Sequence, residues 1–487
     1  MKRQLAVCAM VLIGGVCALA QTTLVPRLDG SKISGGEIDQ TVNRLMKAAE
    51  VTGVSLAVFD HGKIAYLKSY GFRDKEKNLP LTVDSVMSAA SISKSTFAYM
   101  VMQLVDKGLF DLDKPIYQYL PKPLPEYPKY ADLANDARYK KITARMLLSH
   151  TSGFPNWRWL EDDPKLRIHF EPGARYAYSG EGIDLLQFVV ETVTKRPLED
   201  LMKEYVFQPF GMTRTSYIWQ DRFETDYANA YDEYGRSLGP HRWNNSNAAG
   251  SMQVTIRDLA TFMQAVMSGK GMQKKTWELI FTPQIQIFEK HQFPSLNEET
   301  TDENKAIRLS YGLGWGLYWS PYGEAFFKEG HDEGWRNYAV CFNKMKSGMI
   351  LLTNSSNGEG IFKELLETAL KDTFTPIEWE GYTPYDKLPP RPPLQKHKEV
   401  AVVGEILDRY VGRYGVDPNV VLTIRREGNH LSIQENDEPK QVLMAENEKD
   451  FYSTSSDDTL TFQIDGAGRV TGLILHVGKD IPAKRIE

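Results

Sequence analysis

Ser91 and Lys94 have the residue types and the spacing of a nucleophile and its proton acceptor. In the stretch that follows, apolar residues at positions 97, 100, 101, 104 and 105 recur at helical spacing, which predicts a helix from about Ser91 to Gly108. Lys94 would then lie one turn beyond the serine, on the same face of the helix. Because a partly desolvated lysine loses its proton more easily, this pair could carry out nucleophilic catalysis.

The Ser-x-x-Lys spacing is a weak signal when it is taken alone. Roughly one or two matches are expected by chance in a chain of this length, and Ser91 is the only serine followed three residues later by lysine. The alternative interpretation is a helix-capping serine followed by a solvated lysine. The rest of the sequence has to decide between the two interpretations.

The composition is that of a globular chain. Its 487 residues are 42% hydrophobic and 25% charged, enough for one large domain and a smaller one. The formal net charge is -5 at pH 7, so no strongly basic surface is expected and nucleic acid is excluded as a partner.

Residues 1–20 have the pattern of a signal peptide. A basic start is followed by an apolar run from Leu5, and Ala18-Leu19-Ala20 precedes Gln21 as a cleavage site. The run is short for a membrane span, so a retained N-terminal anchor is the less favoured alternative. Cleavage would leave Cys341 as the only cysteine, and therefore no internal disulfide. The mature protein is expected to be periplasmic or secreted, with no transmembrane span.

Periodicity divides the remaining chain into two regions and a linker. Helices are predicted over 36–50, 142–148, 181–194, 255–267 and 360–373, and strands on both sides of Asp60-His61-Gly62 and over 338–342 and 349–353. Residues 21–377 form the predicted large domain, and the proline-rich residues 378–400 an extended linker. Residues 401–487 have a period of two, which predicts a small antiparallel β domain, either a sheet or a barrel.

Several further stretches resemble the serine β-lactamase and penicillin-binding-protein superfamily. They are residues 108–121, 142–153, 171–180, 249–260 and 311–315, in the order and spacing of that superfamily around Ser91-x-x-Lys94. The resemblance covers roughly residues 35–375 and is closest to the branch of class C β-lactamases, D-alanyl carboxypeptidases and related esterases. It implies an α/β fold, an α+β sandwich in which helices flank an antiparallel sheet, with a helical subdomain.

The resemblance also implies the roles of three residues. Ser91 resembles the acylated nucleophile, Lys94 its proton partner, and Tyr178 the tyrosine that acts as general base and acid. A free phenol titrates near 10. Nearby ammonium groups, such as Lys94 and Lys328, would therefore be needed to favour the phenolate of Tyr178.

A third motif of this superfamily, on a strand beside the site, can be aligned in two ways. The favoured alignment uses Lys328-Glu329-Gly330 and places the backbone N–H of His331 with that of Ser91 in an oxyanion hole. The rival alignment makes His331 the basic residue of the motif. Glu329 replaces a small hydroxyl residue, and Gly180 replaces the asparagine that usually ends the second motif. Both departures argue against an efficient β-lactamase and are compatible with esterase or peptidase activity.

Other chemistries have weaker support in the sequence. Gly235-Arg236-Ser237-Leu238-Gly239 matches a nucleophile elbow, but it lacks the apolar strand before it and the helix after it, which favours a surface turn. His150 and Ser152 are interpreted as structural. No His-Glu-x-x-His or paired Cys-x-x-Cys pattern occurs, so no metal or other cofactor is predicted.

The sequence therefore predicts an exported serine hydrolase that cleaves an ester or amide bond of a small molecule or peptide through a Ser91 acyl-enzyme. The alternative is a peptide- or cell-wall-binding protein that keeps the fold without turnover. Retention of Ser91, Lys94 and Tyr178 together favours the enzyme, because binding alone requires none of the three.

Overall fold

The computed structural model describes residues 23–391, 397–417, 420–436, 440–454, 458–477 and 479–486. The predicted signal peptide, residues 1–20, lies outside these ranges. Within them, no helix is both long and apolar enough to cross a bilayer.

The helices of the described residues agree in position with most of those predicted. They are α1 (Gly35–Ala49), α2 (Ile92–Asp106), α3 (Ala144–Leu148), α4 (Gly180–Thr194), α5 (Leu198–Met202), α6 (Gln208–Phe210), α7 (Ile256–Ser268), α8 (Lys274–Ile280), α9 (Phe362–Leu365) and α10 (Gly404–Tyr410). The predicted helix over 360–373 is shorter than expected, because α9 passes into a π-helical turn at Leu366–Leu370.

Side-chain caps determine where several of these helices begin. Ser34 forms a capping box at α1, and Thr143, Ser179 and Thr255 each accept a backbone hydrogen bond at the start of α3, α4 and α7. Ser91 stands before α2 but its side chain makes no capping hydrogen bond. The interpretation of Ser91 as a helix cap is therefore wrong.

A nine-stranded antiparallel sheet forms the centre of the large domain. Its strands, in spatial order, are β10-β11-β12-β13-β14-β15-β3-β4-β5. The strands of this part of the chain are β1 (Leu24–Pro26), β2 (Lys32–Ser34), β3 (Gly53–Asp60), β4 (Lys63–Asp74), β5 (Leu79–Pro80), β6 (Met87–Ser88), β7 (Ala230–Tyr231), β8 (Ser237–Gly239), β9 (Gln253–Val254), β10 (Ile285–Gln286), β11 (Ser310–Tyr311), β12 (Gly316–Ser320), β13 (Gly323–Asp332), β14 (Trp335–Phe342) and β15 (Ser347–Thr353). Because β3 pairs with β15, the sheet joins the two ends of this domain.

The two faces of the sheet bury separate hydrophobic cores. Along β14, Ala339 and Cys341 pack into the core that contains α2, α4 and α7, whereas Val340 and Phe342 pack into the core that contains α1 and α9. This alternation follows from the two-residue period of a strand. The predicted architecture, an antiparallel sheet flanked by helices, is confirmed.

The C-terminal region is a closed eight-stranded antiparallel barrel. Its strands are β16 (Gly412–Asp417), β17 (Val420–Glu427), β18 (His430–Glu435), β19 (Gln441–Ala445), β20 (Asp450–Ser453), β21 (Thr459–Ile464), β22 (Val470–His476) and β23 (Asp480–Arg485). Pairing of Tyr414 with Arg485 closes the barrel between its first and last strands. Tyr410 of α10 stacks on Phe462, with ring centroids 3.9 Å apart. The predicted antiparallel β domain is confirmed.

The first residues of the predicted linker are packed against the large domain. Trp379, Glu380 and Tyr382 are buried, and the indole N–H of Trp379 donates to the Glu289 carbonyl oxygen at 3.0 Å. The N–H of Gln292 donates to the Trp379 carbonyl oxygen at 2.8 Å. Residues 378–382 therefore contribute to the core rather than to an extended segment.

Candidate active site

Ser91 is placed by a short bridge of strands and a buried helix. Before the helix, β6 pairs with β9, and the N–H of Ala89 donates to the Met252 carbonyl oxygen at 2.8 Å. Ala90 then adopts a left-handed backbone conformation with φ of 46°, and α2 begins directly after Ser91. Helix α2 is buried from Ile92 to Leu104, so the serine is held on a rigid element.

Lys94 lies within hydrogen-bond distance of the candidate nucleophile. Its Nζ donates to Ser91 Oγ at 3.0 Å and to the Ala249 carbonyl oxygen at 2.6 Å. Lys94 is only 1% exposed, so the expectation of a solvated lysine is wrong. Burial and then repulsion by Lys328 lower the pKa of Lys94 to about 7. At neutral pH a large fraction of Lys94 is therefore uncharged and able to accept a proton.

Tyr178 reaches the same place from the segment before α4. Its hydroxyl oxygen accepts a hydrogen bond from Lys328 Nζ at 3.1 Å. Lys94 Nζ lies 5.0 Å from the centre of the phenol ring. Burial and the negative charge of Glu329 raise the pKa of Tyr178 well above its ordinary value. The phenol is therefore protonated at neutral pH, which makes it a proton donor.

Lys328 lies on β13 and is neutralised by the next residue. It is completely buried and forms an ion pair with the Glu329 carboxylate, which also accepts a hydrogen bond from Gln292 Nε2 at 2.8 Å. Burial lowers the pKa of Lys328, and the Glu329 charge opposes that effect. The condition for a Tyr178 phenolate is therefore not met at this site, since burial and the Glu329 charge raise the pKa of the phenol.

Gly330 allows β13 to pass close to the residues that precede Ser91. A Cβ atom on Gly330 would lie 2.5 Å from the carbonyl oxygen of Ala89, which is closer than real contacts allow. The pairing of β12 with β13 ends at Phe327, so residues 328–332 lie beyond the end of β12. The backbone that leads to His331 therefore borders Ser91, as an oxyanion hole would require.

The side chain of His331 points away from the reacting groups. It is 51% exposed, and its Nδ1 lies 3.5 Å from a carboxylate oxygen of Glu359. The geometry places Lys328, and not His331, beside Tyr178. This position of Lys328 is the one that the Lys328-Glu329-Gly330 alignment expects.

The other serine and histidine candidates do not belong to the cluster of Ser91, Lys94 and Tyr178. Ser237 is on β8, which pairs with β7 in a short hairpin, and no helix follows it. His150 is buried behind Tyr178, with ring centroids 4.5 Å apart, and its Nδ1 accepts a hydrogen bond from the Ser179 N–H at 3.2 Å. Burial and the nearby lysines lower the pKa of His150 well below its ordinary value, so it is neutral. It supports the position of Tyr178, in agreement with its structural interpretation.

Sequence reasoning missed the aromatic residues that border the site. The ring of Trp157 lies 5.5 Å from Lys94 Nζ, and Phe293 packs edge-on against Tyr178 with ring centroids 5.3 Å apart. The absence of a side chain at Gly180 indicated that a bulky residue could pack beside position 180, but it did not identify Trp157 as that residue. In the described part of the chain, no cluster of three or more His, Cys, Asp or Glu side chains is arranged to hold a metal ion.

Comparisons with known proteins agree with this fold. The family model described as Beta-lactamase matches residues 38–371, and a domain of unknown function, DUF3471, matches residues 396–486. Penicillin-binding protein 4* of Bacillus subtilis (strain 168) is 25% identical over 443 residues, which cover 83% of this chain and 88% of that protein. Esterase EstB of Burkholderia gladioli is 27% identical over 234 residues, which cover 42% of this chain and 57% of the esterase.

Solved structures show the same architecture at low sequence identity. An octameric penicillin-binding protein homologue from Pyrococcus abyssi has a TM-score of 0.56 at 20% identity, covering 92% of this chain and 99% of that one. D-alanine carboxypeptidase AmpC from Burkholderia cenocepacia has a TM-score of 0.52 at 21% identity, covering 66% of this chain and 95% of that one. Since the first family model spans well over half of the sequence, the chain belongs to the Beta-lactamase family, whose members are serine hydrolases such as esterases, penicillin-binding proteins and β-lactamases.

Proposed function

We propose that this chain is an exported serine hydrolase that cleaves an ester or amide bond through a Ser91 acyl-enzyme. The observation that carries the proposal is the hydrogen bond of 3.0 Å between Ser91 Oγ and Lys94 Nζ, together with the lowered pKa of Lys94. Export rests on the signal-peptide pattern of residues 1–20.

Acylation begins with neutral Lys94. Its amine takes the Ser91 proton as Oγ attacks the substrate carbonyl carbon, and the carbonyl oxygen becomes an oxyanion. The backbone N–H groups of Ser91 and His331 stabilise that oxyanion. When the intermediate collapses, Tyr178 donates its proton to the leaving group and recovers a proton from the Lys94 ammonium, so the proton balance closes.

Deacylation follows the same path with water in place of the leaving group. The Tyr178 ring lies beside Lys94, with Lys94 Nζ 5.0 Å from the ring centre, so a proton from the attacking water passes to Lys94 through the phenol. The acyl group leaves Ser91 Oγ, which takes that proton back. The resting site is then restored with Lys94 neutral and Tyr178 protonated.

Glu329 favours ester substrates that carry no free carboxylate. The charge of Lys328 is already paired with Glu329, so it is not available to a substrate anion. A substrate carboxylate would therefore meet an ion pair with no net charge and would gain no attraction to offset its lost hydration. The relative named as an esterase supports ester cleavage.

Covalent labelling of Ser91 tests the proposal. The full chain is treated with a fluorophosphonate probe and its intact mass is measured, with Ser91→Ala and Ser237→Ala as matched serine variants. We expect one adduct on the wild type and on Ser237→Ala, and none on Ser91→Ala, because only Ser91 has a lysine at hydrogen-bond distance among these serines. Absence of an adduct on the wild type would favour the alternative, a peptide- or cell-wall-binding protein without turnover.

Replacement of Glu329 by threonine tests the preference for substrates without a carboxylate. Two p-nitrophenyl esters of equal chain length are compared, one neutral and one with a terminal carboxylate. We expect Glu329→Thr to raise the kcat/KM of the charged ester relative to the neutral one by at least about tenfold, because the Lys328 charge becomes available to the substrate carboxylate. Glu427→Thr, in the barrel, is the control for the substitution, and thermal melting checks that both variants are folded. An unchanged ratio would show that Glu329 does not select substrates.

A further inference from the structure

Trp157 occupies the space in front of the first residue of α4. Gly180 has no side chain, and a Cβ atom there would lie only 2.4 Å from the Trp157 ring. The centre of the ring is also 5.5 Å from Lys94 Nζ, which in turn is 3.0 Å from Ser91 Oγ. Trp157 therefore borders the group to which an acyl chain on Ser91 would be attached.

A second tryptophan extends this apolar surface away from the nucleophile. Trp157 and Trp159 stack with ring centroids 4.7 Å apart and planes only 11° from parallel. Trp157 is half-buried, and Trp159 is 48% exposed. We call these two residues the tryptophan wall. Large aromatic surface left open to water beside reacting groups indicates a binding surface rather than a packing residue.

The tryptophan wall is held by a buried ion pair. Arg158, which lies between the two tryptophans in sequence, binds Glu181 through both ends of its guanidinium group, at 2.9 and 2.8 Å, and both side chains are less than a tenth exposed. Asn156 accepts hydrogen bonds from the N–H groups of Gly180 and Glu181, each at 3.0 Å. The wall is thus fixed to the start of α4 before any ligand binds, which lowers the entropic cost of binding.

Charges around the site restrict what the tryptophan wall can accept. Lys328 is paired with Glu329, so its charge is not available to an anionic group. An anionic group would therefore lose its hydration without gaining a counter-charge, and a purely polar group would gain little from two indole faces. An uncharged apolar chain satisfies both conditions.

From this geometry we infer that the tryptophan wall binds the acyl part of the substrate and selects esters with an uncharged apolar acyl chain longer than acetyl. The inference rests on the proposed Ser91 acyl-enzyme and adds the substrate class. Burial of each further methylene group against the wall favours the longer substrate by about fourfold. The preference is therefore expected to grow with acyl length until the chain passes Trp159.

The test compares p-nitrophenyl acetate, butyrate and hexanoate as substrates of the full chain. The leaving group is constant, so only the acyl side changes. We expect the wild type to prefer hexanoate over acetate in kcat/KM by at least about tenfold, and Trp157→Ala to reduce that preference to about twofold or less. Trp157→Phe should restore most of it, because a flat aromatic surface returns. Trp319→Ala is the matched control and should keep the wild-type preference. Trp319 is exposed like Trp159, but it pairs with Glu324 near the start of β13, whereas Lys328 lies near the other end of that strand.

Two outcomes would overturn the inference. The first is a wild-type preference that Trp157→Ala leaves unchanged while the Ser91 probe still labels the variant, which shows that the variant is folded and active. The second is a wild type that hydrolyses acetate as fast as hexanoate. Neither outcome contradicts the proposed Ser91 acyl-enzyme. Failure of the proposed function would give a different result: the wild type would show no ester turnover and no probe adduct. That result would also remove the basis of this inference.

Discussion

Replacement of Lys94 by methionine is expected to lower kcat at least about a thousandfold. Methionine has nearly the same length and fills the buried site, but it cannot accept the Ser91 proton. The 3.0 Å hydrogen bond to Ser91 Oγ is lost with the amine. The loss should appear in the acylation rate, measured in single-turnover reactions with a p-nitrophenyl ester.

Lys94→Arg is the matched control for charge. An arginine keeps the positive charge beside Ser91 but stays protonated, so we expect a loss as large as that of the methionine variant. If the arginine variant kept wild-type acylation, Lys94 would act through its charge alone and the assignment as proton acceptor would be wrong.

The pH profile provides an independent readout of Lys94. Because the neutral amine is the active form and the pKa of Lys94 is about 7, kcat/KM of the wild type should rise with pH below about 7 and level off above it. The profile is measured with one ester over the range in which the protein stays folded. A profile without a group titrating near 7 would contradict the assignment.

Lys94 should also make the folded state depend on pH. Its pKa is lowered from 10.5 to about 7 on folding, so between these values the unfolded chain binds more protons. The free energy of unfolding therefore rises with pH across that window, and below it the full cost of the buried charge, on the order of 5 kcal/mol, is present. Lys94→Met should remove this dependence and melt higher than the wild type below about pH 7. A variant that gains stability and loses turnover is typical of a catalytic residue whose burial destabilises the folded state.

Replacement of Tyr178 by phenylalanine is expected to lower kcat for alkyl esters by about a hundredfold to ten-thousandfold. The raised pKa of Tyr178 keeps the phenol protonated, and Lys94 is the nearer base for Ser91, so Tyr178 acts as the donor to the leaving group. An alkoxide must be protonated as it leaves, whereas p-nitrophenolate is stable as an anion. The acylation rate with p-nitrophenyl esters should therefore fall by about tenfold or less.

The comparison of leaving groups separates the two possible roles of Tyr178. Equal losses with alkyl and p-nitrophenyl esters would identify Tyr178 as the base for Ser91 rather than as the acid. Tyr311→Phe is the control, because Tyr311 is a buried tyrosine of the same region whose hydroxyl has no hydrogen-bond partner among the described residues. Removal of this hydroxyl should leave kcat within about twofold of the wild-type value, because the hydroxyl makes no hydrogen bond among the described residues.

The candidate nucleophile and its partner could be found in the sequence because their relation is local. Three residues along a helix bring two side chains to one face whatever else the chain does, so Ser91-x-x-Lys94 predicts contact directly. The same is true of the strands at 421–424, 431–433, 460–464 and 470–475, where the two-residue period identifies β structure before any pairing is known.

The residue pattern along the chain is enough to predict the local features: the Ser91 helix, the helices at 142–148 and 255–267, and the β character of the C-terminal region. The tertiary structure alone decided which third-motif residue meets Tyr178, because that depends on how Gly330 passes Ala89. It also decided the lowered pKa of Lys94, the pairing of Lys328 with Glu329, the closure of the barrel and the place of Trp157. These features arise from burial and from contacts between distant segments, and residue spacing along the chain carries no information about either.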